Sequence, residues 1–110
     1  MPVDDDQLVR ETDQLVNHVG HWSPARWVAP AASTTDGRSR GEVVHALAQR
    51  LADLEADVTG RPGRDVPRLG NDLALPDQVR VMVLDLVRAH AGPAVLAAAL
   101  DAITAARSLL

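Results

Sequence analysis

Histidine is the only side chain in this sequence able to offer a neutral nitrogen to a metal, and it occurs four times, as His18, His21, His45 and His90. His18 and His21 are three apart, but Gly20 stands between them and predicts a helix end there, which spoils a common face. His45 falls opposite the row Val44, Leu47 and Leu51, beside Gln49 and Asp53 on the polar side of a helix. His90 continues the row Val79, Met82, Val83 and Leu86 near a helix C-terminus, where a cationic imidazole suits the dipole. None of these spacings matches a zinc motif, so no metal and no other cofactor is expected; the alternative ligand pair is His45 with His90.

The acidic residues are spaced for surface pairing rather than proton transfer. Asp6 with Arg10, Arg50 with Asp53, Asp77 with Arg80 and Asp85 with Arg88 are three or four apart, and none of these carboxylates falls in an apolar row. Catalytic carboxylates are therefore not expected. Arg61, Arg64 and Arg68 lie in a segment broken by Gly and Pro, where forked guanidinium groups suit phosphate or carboxylate. The plainer alternative is a solvated loop pinned by Val66 and Leu69, with Asp65 and Asp72 as partners. No phosphate-cradling or dinucleotide loop accompanies the arginines. Trp22 and Trp27, five apart around Pro24, are the only aromatic residues. They are expected to plug a bundle end with each indole N–H on a carbonyl, or else to anchor a partner.

What is missing narrows the chemistry further. Without cysteine there are no disulfides, thiolate sites or cysteine nucleophiles, and without lysine there is no Schiff base. A formal charge of −4 argues against a nucleic-acid-binding face. All 11 basic residues are arginine, a bias expected of a GC-rich bacterium. The acidic run Asp4-Asp5-Asp6 is unlike a signal peptide, and Ala94–Leu110 is short and interrupted for a membrane span, so a cytoplasmic protein is expected.

The elements that would hold these residues are helical. A chain of 110 residues predicts one domain over 1–110. Asp4 with Gln7 starts a helix carrying Leu8, Leu15, Val16 and Val19, which Gly20 ends in the left-handed conformation. Ser23-Pro24 opens a single turn over about 23–28. After the polar loop Pro30–Arg40, Ser39 and Glu42 form a capping box for the strongest helix, with Val44, Leu47, Leu51, Leu54 and Val58 in unbroken 3-4 spacing up to Gly60. A broken stretch, Thr59–Leu75, leads to a helix from Pro76 that is apolar on two faces, the second formed by Val81 and Leu84. Gly92-Pro93 then begins an Ala-rich last helix, predicted to pack closest of all and to form a tight hairpin with the one before. The fold class is all-α, a four-helix bundle with one extra turn and two long connections, either up-down or with a crossover.

Trp27, the polar loop after it and Arg40-Gly41-Glu42-Val43-Val44-His45-Ala46-Leu47 together resemble a helix start in the DinB-like superfamily, which includes the mycothiol-dependent maleylpyruvate isomerase-like enzymes. The resemblance covers about a fifth of the chain. It implies a four-helix bundle with histidine-bound metal, His45 being the matching ligand. The later helix departs from it, with Leu86 rather than a second ligand four residues before His90. The Arg-Pro-Gly loop and Leu75-Pro76-Asp77-Gln78 look more like small helical proteins of GC-rich bacteria. The function expected from the residues is a non-catalytic module that binds itself or a helical partner through its last two helices. Val81, Leu84, Trp22 and Trp27 are the candidate surface, and the alternative is a reduced DinB-like metal or thiol-cofactor protein.

Overall fold

A computed structural model describes residues 3–31, 37–68 and 70–110. The middle of the Pro30–Arg40 loop, and Leu69 with its pinning role, lie outside the described residues. Among the described residues five helices follow in order: α1 (Asp5–Val19), α2 (Pro24–Val28), α3 (Arg40–Thr59), α4 (Leu75–Arg88) and α5 (Pro93–Leu109), with one 3₁₀ turn at Asp72–Ala74. The chain is an all-α bundle of four long helices, α2 being the extra turn. No described helix is long and apolar enough to cross a membrane.

Local chemistry starts the helices where the caps stand. The Asp4 carboxylate accepts from the Gln7 N–H at 2.8 Å, and Ser23 caps α2 with Pro24 in its first turn. At α3 the Ser39 hydroxyl accepts from the Glu42 N–H at 3.0 Å, while the Glu42 carboxylate accepts from the Ser39 N–H at 3.1 Å. That reciprocal pair satisfies two donors that a bare helix start would leave open. Gly60 ends α3 with φ +71°, as a left-handed stop should. Gly20 does not: its φ of −65° is right-handed, and α1 ends instead as the Trp22 N–H donates to the Val19 carbonyl.

Apolar rows decide the packing. Leu8, Leu15 and Val19 of α1, Leu47, Leu51 and Leu54 of α3, Val79, Val83 and Leu86 of α4, and Leu96 and Ile103 of α5 share one core. In α3 a second buried row, Ala48, Ala52 and Ala56, adds close approach on another side. So α3, not α5, is the most enclosed helix, and its contact with α4 is the densest in the molecule. Around the bundle α1 touches α4 and α5, and α3 touches the same two, so α1 and α3 lie diagonally opposite. The expected hairpin of the last two helices does not form, because α4 and α5 make at most a marginal contact. The hinge between them explains why. His90 has φ +55°, the Ala91 N–H donates to the Leu86 carbonyl and the His90 N–H to the Val87 carbonyl. This left-handed cap redirects the chain before Pro93 begins α5.

Between α3 and α4 the chain crosses over. From Gly60 at the end of α3 it runs back along the bundle until Arg68 and Asp72 rest beside Gly41 at the start of α3. Leu75 then begins α4, and the C-terminal ends of α3 and α4 meet around Glu55, Thr59, Arg88 and Ala89. The two helices therefore run parallel, which only a long return segment permits.

Candidate functional site

Parallel packing turns one face of α4 inward and leaves the other bare. Leu75, Pro76, Val79, Val83 and Leu86 are buried. On the opposite side Val81 is 50% exposed and Leu84 39%, one turn apart on a rigid helix. The return segment is long enough to lie across them, but it runs over the polar side of α3 and leaves both in solvent. Val66 is held there because its N–H donates to Gln49 Oε1 at 2.8 Å, and Gln49 Nε2 donates to the Arg64 carbonyl at 3.0 Å. Gln78 Nε2 donates to the Pro67 carbonyl at 3.1 Å. Two ion pairs bound the exposed face of α4: Arg80 with Asp13 of α1 at 3.4 Å, and Asp85 with Arg64 at 3.8 Å. Asp77 and Arg88 sit at its two ends, exposed and without an ion pair among the described residues.

The three loop arginines are not brought together. Arg61 and Arg64 line a cleft of about 370 Å³ with Glu55, Thr59, Asp85 and Arg88. Arg68 is at the other end of the return segment, forked onto Asp72 at 3.0 and 3.1 Å. An extended segment of eight residues spans the bundle, so its first and last arginines face different ends. The cleft itself suits an anion poorly. Glu55 takes Arg61 at 2.9 Å, Asp85 takes Arg64, and two helix C-termini add their carbonyl dipoles. Sequence reasoning missed Arg88 here because spacing assigned it to Asp85 on the same helix. The four short-range pairs expected from spacing do not form among the described residues; of their arginines only Arg80 is paired, with Asp13 of α1, and Arg107 of α5 likewise reaches Glu11 of α1 at 2.9 Å.

The histidines are dispersed. His45 is half-buried, and its Nε2 lies 2.8 Å from the Val66 carbonyl, which it can approach only as a donor. That nitrogen pins the return segment. His90 follows α4 at the other end of the parallel pair, beyond Glu55 and Thr59. Ten to fourteen residues of helix from His45 amount to about 15–21 Å, so His45 and His90 cannot share one ion. No group of three or more His, Asp or Glu side chains among the described residues is placed to hold a metal.

No family model, no curated protein and no solved structure matches this chain. What it does must be read from its own geometry.

The two tryptophans belong to the core. Trp22 is 5% exposed and Trp27 1%, with ring centroids 5.1 Å apart at 65°, an edge-to-face pair. His18 adds a second edge contact to Trp22 at 5.4 Å, and the Arg26 and Arg40 guanidinium carbons stand 4.8 and 5.7 Å from the Trp22 ring centre. They plug the bundle end, so the partner surface expected of Trp22 and Trp27 is not available. The Trp27 indole N–H has no hydrogen-bond acceptor among the described residues, contrary to the expected carbonyl bond. Of the four residues that sequence proposes for an interaction surface, only Val81 and Leu84 reach solvent.

Proposed function

We propose that this chain is a non-catalytic self-association module whose docking surface is the outer face of α4. The observation that supports this reading is the exposure of Val81 and Leu84 side by side, on a helix whose other face is fully packed. A rigid helix lays down such a pair at little entropic cost. Exposed apolar side chains are ordinary when single, whereas neighbours on one helix, rimmed by charge, favour docking. The second copy is the occupant that the charges favour, since the face carries an acid at one end and a base at the other. One helix face falls short of the ~800 Å² per partner of a standard interface, which places such a dimer among weak, transient associations.

Mass by light scattering tests this directly. The parent is expected to show two chains at concentrations on the order of tens of micromolar, and Leu84→Glu one chain with an unchanged helical circular dichroism spectrum. A single-chain parent over that range overturns the proposal.

A further inference from the structure

A helix face that docks on its own copy does so about a two-fold axis, with the two helices either parallel or antiparallel. The outer face of α4 distinguishes the two. Asp77, Val81, Leu84 and Arg88 are separated by steps of four, three and four, so they stay within an arc of about 60° and form one straight row. Asp77 and Arg88 stand about 8 Å to either side of the row's midpoint, and Val81 and Leu84 about 2 Å to either side. The row is therefore balanced about its centre in position and opposite about it in charge.

A parallel pair would set Asp77 against Asp77 and Arg88 against Arg88. An antiparallel pair sets each Asp77 at the height of the other copy's Arg88, twice, while Val81 and Leu84 close around the axis. We infer that two copies associate through α4 packed antiparallel on α4, joined by reciprocal Asp77–Arg88 ion pairs across the interface. This inference rests on the docking role of that face proposed above. The flanks agree with it. In an antiparallel pair each flank meets its own symmetry mate, so Arg80 comes near Arg80 and Asp85 near Asp85. Those charges are already matched within the chain, Arg80 by Asp13 and Asp85 by Arg64. Asp77 and Arg88, which have no such partner among the described residues, are the two left for a second copy. The dipoles of the two helices also oppose one another favourably in this orientation.

Charge reversal separates this arrangement from any other use of the same face. Dimer dissociation constants would be measured by sedimentation for the parent, Leu84→Glu, Asp77→Arg, Arg88→Asp and the double variant Asp77→Arg with Arg88→Asp. Each single reversal makes both symmetry-related pairs repulsive and should raise Kd by about fivefold or more, whereas the double variant restores both pairs and should return to within about twofold of the parent. The helix's own dipole predicts the reverse order, since both reversals are unfavourable to it and the double variant would be worst. Thermal melting of each variant registers that effect separately from association. A parent dimer lost in Leu84→Glu but indifferent to the single reversals overturns the antiparallel pairing and leaves the docking face standing. A double variant no tighter than the singles overturns the pairing as well. A monomeric parent overturns both.

Discussion

His90 shows how much one residue decides here. A side chain with a Cβ at φ +55° is strained, yet this position is where α4 stops and the chain turns toward α5. Glycine would hold the same cap without that strain, though it has more freedom to lose on folding. His90→Gly should therefore stabilise the protein by about 0.5–1 kcal/mol, read from urea unfolding with an unchanged m-value. A loss of stability would mean that the imidazole itself holds the turn. His45 is a residue of the opposite kind, fitted to the fold: its ring sits on the Val66 carbonyl and serves the return segment. Gly41 is a third, because a Cβ there would collide with the Asp72 carboxylate and the Arg68 guanidinium that lie over the start of α3.

At the scale of elements, the return segment from Gly60 to Ala74 decides the topology, and it is fastened mainly by side chains of α3. Gln49 is the principal clasp, accepting from the Val66 N–H and donating to the Arg64 carbonyl. Val66 is buried, so removing that acceptor strands its donor away from water. Gln49→Ala should cost about 1–3 kcal/mol and speed hydrogen exchange at Val66 well before global unfolding. Unchanged exchange at Val66 would show that the segment is held by other contacts. The same segment presents Arg64 to Asp85 and so borders the outer face of α4 without covering it.

For the whole molecule, the proposed self-association would link stability to concentration. A dimer that forms only from folded chains raises Tm as protein concentration rises, by mass action. The parent should show that rise over a range on the order of a hundredfold, while Leu84→Glu should melt at one temperature throughout. A parent Tm independent of concentration would count against any dimer of folded chains. The bundle itself does not need the second copy for its core, since Trp27, Leu8, Leu15, Leu51 and Ile103 are already closed off within one chain. The proposed association would add cover to α4 alone.

Helix positions, caps and core rows were legible in the chain because they depend on neighbours three and four residues apart. Asp4, Ser23 and Ser39 cap where spacing predicts, and Leu47, Leu51 and Leu54 are all buried. The two-faced character of α4 was legible for the same reason, but spacing assigned Asp77 to Arg80 and Arg88 to Asp85, and the row from Asp77 to Arg88 emerges only because Arg80 and Asp85 pair elsewhere. Periodicity says that a helix has a second apolar face, but whether anything lies on it depends on the path of the connections. That path was not written locally. The long return between α3 and α4 fits an up-down bundle as well as a crossover, and only the anchoring of Arg68, Asp72 and Val66 along α3 makes the two helices parallel. From that one choice follow the diagonal placement of α4 and α5, the separation of His45 from His90, and the parting of Arg68 from Arg61 and Arg64. Contacts between residues far apart in the chain carry no period, which is why local spacing determined the helices and tertiary packing alone decided which side chains meet.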